Sequence, residues 1–304
     1  MTRLQLSATF QAANVADVLA ACKAPEPETG LVGVERARTL IRQGSVWHGK
    51  VRLKNQDFLL DPASSQDVWV AWPRLSVDEC KLKAQNIVYD DGRILAVWKS
   101  HGLNACPSVY SDVDCLTHGL QKVLDDNAIA RGQQPSAYRI NVVNRLDRDT
   151  AGLQLFARDA EAEAALHALF RTHAISKRYV LIIPRLSGGA PRFVCATTPL
   201  RWRMRPEREA RTDFMLLGPL SNFVSDPLAG CQNDDSVYLA LPRTGRTHQI
   251  RIHASQVLQP IRGDTVYGGY PRGSRLRLYC VGYRFAHPYT KARTTISADP
   301  RLFA

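Results

Sequence analysis

The stretch that decides the fold is VVNRLDRDTAGLQLFARD, residues 142–159. It sets a polar knot, Asn144-Arg145-Leu146-Asp147-Arg148-Asp149-Thr150, directly before Ala151-Gly152 and a short apolar run. Two Asp and two Arg fall within residues 145–149. A charge cluster of this kind is ordinarily a solvated turn. Here strand-like apolar runs flank it, Ile140 to Val143 before and Leu153 to Ala157 after, and they are expected to hold it firmly. Gly152 lets the backbone turn where a side chain would clash. A carboxylate held among guanidiniums is a placed charge rather than a surface decoration.

Two later stretches carry similar density. Ile175 to Ile183 reads as a buried strand opened by Lys177-Arg178-Tyr179. A strand at Val237 to Leu241 runs into PRTGRTHQIRIHASQVLQPIRGDTVYGG, residues 242–269. The three together resemble the pseudouridine synthases of the RluA type. NRLDRDTAGLQLFAR is similar to that family's HRLDxxTSGLLLFA signature, Lys-x-Tyr to its second motif, and Arg246-Thr247-His248-Gln249-Ile250-Arg251 to GRTHQIRxH, followed by the GDxxYGG element. The resemblance covers roughly residues 84–304. It departs at Asn144, where the family has His, at Ala151 for Ser, and at Ser100, which replaces Pro in the family's KPxGL segment (here Lys99-Ser100-His101-Gly102-Leu103).

The resemblance implies an α+β fold: a mixed, mainly antiparallel sheet flanked by helices. It implies that Asp147 is the catalytic carboxylate, that Tyr179 packs against the target ring and assists proton transfer, and that Arg251 pairs with Asp147. Arg145 is expected to fill the space a flipped base leaves. Asn144, Lys177, Arg246, His248 and Gln249 are the remaining substrate-binding candidates, with Asn144 at the pocket edge. Lys99 is read either as a phosphate contact or as a solvated side chain.

The implied chemistry suits a single acid. Uracil must leave its sugar, rotate and rejoin through a ring carbon, so a glycosidic bond is broken and remade. The anomeric carbon becomes electron-poor, and a carboxylate can attack it or stabilise it, as in retaining glycosidases. Uracil leaves as a delocalised anion and stays bound, so no second acid is required. An aspartate is ionised at neutral pH without help; Arg251 is therefore expected to offset the cost of burying the carboxylate and to fix its angle. The target uridine must also leave its stack, at a cost of a few kcal/mol.

Composition agrees with a polyanionic partner. Lys+Arg 40 against Asp+Glu 28 gives +12, which favours nucleic acid, here ribosomal or transfer RNA, over a membrane surface, for which no basic amphipathic stretch stands out. At 304 residues and 45% hydrophobic the chain has material for about two domains with buried cores. Seven Cys without a CxxC pair argue against a disulfide framework and a zinc site, and for a reducing compartment. No signal-like or membrane-spanning run is found, so a cytoplasmic protein is expected. No cofactor or metal is implied, and nothing demands more than a monomer.

Residues 1–80 read as a separate unit, with helices at Val15 to Cys22 and Arg36 to Gln43, the loop APEPETG, and short strands at Val46 to His48, Val51 to Leu53 and Val68 to Trp72. It loosely resembles the small alpha-L RNA-binding motif; Trp47, Trp69 and Trp72 are expected in its core. Pro73 to Leu82 is a linker. The second unit, 84–304, opens with a hairpin, Ile87 to Tyr89 and Ile94 to Trp98, around Asp90-Asp91-Gly92. Helices follow at Ser111 to Asp125, capped by Ser111, and at Ala160 to Arg171, with His167 packing near its apolar face. Residues 185–235 show no clear period, though Arg201 to Pro206 mixes a Trp with three Arg in a way that suits RNA. Leu276 to Cys280 and Tyr283 to Phe285 read as closing strands. Two other functions fit parts of this pattern: a catalytically silent RNA-binding or ribosome-assembly factor, and a nucleoside hydrolase using Asp149 as a second acid.

Overall fold

The computed structural model describes residues 2–3, 13–23, 31–60, 67–72, 77–201, 206–224 and 228–298. The APEPETG loop, the start of the Pro73 linker and residues 202–205 of the arginine–tryptophan run lie outside the described residues. The chain divides into two compact units: Met1–Leu82 with Cys106–Asn127, and Lys83–Ala105 with Ala128–Ala304. Residues 106–127 thus join the first unit, although the sequence reading set them in the second.

In the first unit the order is β1 (Thr2–Arg3), β2 (Ala13–Asn14), α1 (Val15–Ala20), α2 (Val34–Arg42), β3 (Val46–His48), β4 (Val51–Arg52), β5 (Leu59–Leu60) and β6 (Val68–Val70). Asn14 caps α1 by accepting from the Asp17 amide. Ala37, Leu40 and Ile41, one stripe of α2, are buried with Val15, Leu19, Val46 and Val70. The sheet order is β1-β6-β3-β4, antiparallel throughout. Trp47 and Trp69 sit opposite each other on β3 and β6, half-buried and flanked by inward-facing valines, so neither is the core residue expected. The Arg52 guanidinium lies 4.3 Å from the Trp47 ring centroid.

Ser111 caps a turn, accepting from the amides of Val113 and Asp114. The helix that follows, α3 (Leu116–Ala130), therefore starts five residues later than expected. Gly119 lies on its buried side, where a Cβ would come within 2.6 Å of the Cys80 sulfur.

The second unit contains β7 (Ile87–Asp90), β8 (Ile94–Lys99), β9 (Ala151–Ala157), α4 (Ala160–Arg171), β10 (Ser176–Ile183), β11 (Phe193–Ala196), β12 (Thr212–Pro219), β13 (Ser236–Pro242), α5 (Gln249–Val257), β14 (Leu278–Ala286) and β15 (Arg293–Ser297). Nine strands form one sheet in the order β11-β12-β13-β10-β14-β9-β8-β7, with β15 beside β14. Every pairing is antiparallel except β9 with β14. Every residue of β8 and β9 is buried, which is why these strands read as apolar runs rather than alternating ones. Gly152 has φ +119° and faces Cys280 across the parallel pair; a Cβ there would stand 2.3 Å from the Cys280 carbonyl oxygen. Its smallness serves close strand approach as well as a turn.

Several expectations shift in detail. Ile140 to Val143 is not a strand; only an isolated bridge joins Val142 to Phe156. The two closing strands are one, β14, with β15 after it. Residues 185–235 hold β11 and β12, whose outer positions are exposed and so blur the period. Helix α4 falls where expected, capped by Asp159 on the Ala162 amide, but His167 is exposed and 3.5 Å from Glu163. No described helix is long and apolar enough to cross a membrane. All seven cysteines are free.

Candidate active site

Asp147 lies on the loop between Val142 and β9, tied down from several sides. Leu146 and Val143 are buried in the core of the second unit. Thr150 donates its amide to the Asp147 carbonyl at 3.1 Å. Gln154, wholly buried on β9, accepts from the Leu146 amide at 3.1 Å and donates to the carbonyl and side-chain oxygens of Asn144. Asn144 in turn donates to the Tyr283 hydroxyl at 3.3 Å. Asn144 is thus a strut behind the loop and not a group at the pocket edge, because its polar valences are committed inward. The Asp147 side chain itself stays 30% exposed.

A second anchor comes from Lys99 at the end of β8. It is fully buried, neither solvated nor free for phosphate, and its ammonium donates to the carbonyls of Ser100, Leu103 and Arg148 at 3.2, 2.9 and 2.9 Å. Burial pulls it down to about 7, against the pull of Asp149 and Asp147. His101 Nδ1 takes the Asp149 carbonyl at 2.8 Å. Asp149 offers the loop its carbonyl, while its carboxylate is exposed. Arg145 is exposed and makes no hydrogen bond or ion pair with another described residue.

Opposite stands α5. His248, its N-cap, adopts φ 55°, a left-handed conformation that turns its ring back over the helix start. The Arg251 guanidinium, 3% exposed, forks onto Asp264 with two bonds of 2.7 Å. The direct Arg251–Asp147 pair implied by the resemblance is therefore not formed. The reason is local: the Gly263–Asp264 turn brings a fully buried carboxylate to Arg251, and the amides of Val266 and Tyr267 fix it at 2.9 Å each. Burial alone would raise Asp264, but the Arg251 fork and the Tyr267 amide hold it below the usual carboxylate range. Burial likewise works against Arg251, and Asp264 more than restores its charge, with Asp147 adding to the field.

Between the two sits His248. Burial lowers it, with Asp147 opposing and Arg251 reinforcing the shift, so the ring is neutral at physiological pH. Arg251 can only donate, so Nε2, 3.4 Å from its Nη1, accepts. Nδ1 then carries the proton and donates to the Tyr267 hydroxyl at 3.0 Å. Nε2 is 3.9 Å from the Asp147 carboxylate. The Arg251 charge lies 5.2 Å from the Tyr267 ring centroid.

Tyr179 lies on β10, where the register with β14 shifts between Arg178 and Tyr179. Burial pushes it well above the usual phenol range, with Cys280 and Asp147 adding to the shift; it remains a phenol. Lys177 donates to the Thr244 carbonyl at 2.7 Å, and burial lowers it. Gln249, expected to touch substrate, is a buried clamp. It accepts from Thr244 and the Arg246 amide, and donates to the Arg211 carbonyl and the Thr212 hydroxyl. All its valences are used within the protein. Arg246 is half-buried, its Nε on the Glu209 carbonyl.

Sequence reasoning missed four residues of this site. Asp264 and Tyr267 were visible within GDxxYGG but carried no role. Gln154 is a polar residue in an apolar run, where the RluA-type signature has Leu. Lys99 was visible, but not its burial. The described residues hold no cluster able to bind a metal.

Comparisons with known proteins bear on what this arrangement is. A family profile described as RNA pseudouridylate synthase matches residues 93–256. The ribosomal large subunit pseudouridine synthase D of Zymomonas mobilis is 26% identical over 87% of this chain and 85% of its own length. The tRNA pseudouridine synthase C of Haemophilus influenzae is 28% identical over 70% of this chain and 91% of its own. The fold matches that of human RNA Pseudouridylate Synthase Domain Containing 4, with TM-score 0.54 and 20% identity over 72% of this chain and 90% of that one. A pinned carboxylate loop facing an arginine–histidine–tyrosine cluster, in a sheet of this order and with Asp147, His248 and Arg251 all inside the matched profile, places the chain in the RluA family of RNA pseudouridine synthases, which are isomerases.

Proposed function

We propose that the protein converts specific uridines of structured RNA, ribosomal or transfer, to pseudouridine, with Asp147 as the catalytic carboxylate. The observation that carries this reading is the pinning of a partly exposed Asp147 by the Lys99 and Gln154 contacts, directly opposite His248 and Arg251. Such a carboxylate is pre-oriented toward a sugar entering from the open side. It stabilises the positive charge that grows on the anomeric carbon as uracil departs.

Arg251, held by Asp264, supplies fixed positive potential beside Asp147 without neutralising it through a direct bond. Tyr179 offers the departed uracil a flat packing surface and a phenolic proton. Arg145, unengaged at the loop tip, is the side chain free to enter the RNA stack when the uridine leaves. Lys177 and Arg246 line the approach by way of the Thr244 turn. The first unit, whose β3 and β6 carry the half-buried Trp47 and Trp69, adds RNA contacts as the alpha-L resemblance suggests. The working site is the cytoplasm, in keeping with seven free thiols.

Mapping of pseudouridine in total RNA from cells carrying the wild type or Asp147→Ala tests this. Sites present with the wild type and lost in the variant are the expected outcome, and they would name the RNA. Identical maps would instead favour a silent RNA-binding protein on the same fold.

A further inference from the structure

Away from Asp147, the second unit has a cavity of about 330 Å³ whose lining includes Ala229, Arg262, Gly263, Arg275 and Arg277. Three arginines share it, and their situations differ. Arg262 forks onto the fully buried Asp235 at 2.8 and 2.6 Å. Arg275 is exposed and makes no hydrogen bond or ion pair with another described residue. Arg277 is 3% exposed, yet among the described residues its guanidinium meets only neutral groups: the Tyr279 hydroxyl at 3.1 Å, the Ala229 carbonyl at 2.5 Å and the Cys231 thiol. Its Nε is buried without a hydrogen-bond partner.

A buried guanidinium without a counter-charge is expensive. Among the described residues nearby, the Asp235 carboxylate is already taken by the Arg262 fork, and the Cys231 thiol does not supply an anion. Burial pushes the Cys231 thiol up by more than Arg277 draws it down, so Cys231 stays neutral. Nor does His101 add an anion: it is neutral, and its ring meets Tyr279 edge-on at 5.4 Å. The missing negative charge has a place to sit, because the cavity is built for close approach. Gly263 has φ +75°, and a Cβ there would stand 2.1 Å from the Arg275 carbonyl oxygen. That contact draws the 262–263 and 275–277 segments together, backed by the bonds of the Arg277 amide to the Arg262 carbonyl and of the Arg262 amide to Ile182. All three arginines lie beyond residues 93–256, the part matched by the family profile.

We infer that this cavity is a phosphate-binding site, and that it takes a backbone phosphodiester of the RNA, with Arg277 and Arg275 supplying the charge. This rests on the RNA substrate proposed above. The site communicates with the catalytic loop through a short path. Arg277 holds the Tyr279 hydroxyl, the Tyr279 ring carries His101, and His101 holds the Asp149 carbonyl two residues from Asp147. A phosphate seated on Arg277 would therefore fix the strand that flanks the flipped uridine in register with the loop.

The test uses inorganic phosphate and a short oligouridylate as probes, on the whole protein, with Arg277→Met and Arg275→Met. Phosphate, compared with chloride at equal ionic strength, should raise the wild-type melting temperature saturably and leave both variants unmoved. The slope of log Kd against log salt for oligouridylate should fall by about 0.7 for each RNA phosphate that a variant no longer neutralises. No saturable effect of phosphate on the wild type, or the same effect on all three proteins, overturns the site. Phosphate binding that Arg277→Met abolishes, with an unchanged oligouridylate slope, means a free-anion site and overturns the RNA assignment. If Arg277→Met fails to fold, Arg275→Met gives the same readouts from an exposed position. The phosphate arm needs no catalysis, so an absence of pseudouridine in the wild type would count against the proposed function and not against the cavity.

Discussion

Arg251 and Asp264 show what single side chains decide here. Removing the charge of Asp264 would leave a buried guanidinium uncompensated, so Asp264→Asn should cost about 3–5 kcal/mol of stability, read by thermal unfolding. Arg251→Lys keeps the charge but not the fork. It should lose most turnover while binding RNA nearly as the wild type does; full turnover would show that the fork is dispensable. Gln154→Leu should leave the buried Leu146 amide without an acceptor, at about 1–3 kcal/mol, and lower kcat rather than raise KM, since the loop and not the RNA surface is loosened. Restoring the family pair in Asn144→His with Gln154→Leu should recover part of that loss; a double variant worse than both singles would refute the coupling. At this scale the candidates Asp147, Tyr179 and Arg251 could be named from the sequence because their motifs are short and contiguous. The partner of Arg251 was not, since Asp264 lies 13 residues along the chain and only the folded turn brings it home. Gln249 was misread for a related reason: a motif marks a residue without saying which way it faces.

Strands and loops set the next constraints. Gly152→Ala would drive a Cβ into the Cys280 backbone, 2.3 Å from its carbonyl oxygen, with no flexible side chain to give way. The expected result is loss of the β9–β14 pairing and of soluble folded protein; a normal melting curve would contradict it. Lys99 links a strand end to the loop that carries Asp147 and gives a pH dependence. Its folded value near 7 lies below the usual lysine range, so between about pH 7 and 10 the unfolded chain binds more protons, and stability from this group rises with pH. The wild type should therefore gain on Lys99→Met by up to about 1.4 kcal/mol per pH unit across that window. A constant difference would mean that the three carbonyls keep the ammonium's titration ordinary. Helix α4 was readable because its apolar residues repeat at helical spacing. Strands β11 and β12 were not, because they lie toward the sheet's outer edge with half their side chains in water. The late start of α3 turns on Ser111 capping a turn instead of a helix.

For the whole molecule, charge and catalysis are separable. A net +12 should make RNA affinity fall steeply with salt, and that slope should be nearly the same in Asp147→Asn, whose carboxylate is proposed to serve chemistry and not docking. The fold class and the family were legible in three motifs. The division into units was less so, since residues 106–127 pack with the first unit although nothing in their composition marks a change. The most direct measurement follows from the chemistry. Joining C5 of uracil to the sugar expels the C5 hydrogen, so RNA carrying tritium at C5 of uridine reports turnover as released tritium. Wild-type protein should release it from ribosomal or transfer RNA, and Asp147→Asn should bind the same RNA and release none. Release at the wild-type rate by Asp147→Asn would contradict the role assigned to that carboxylate.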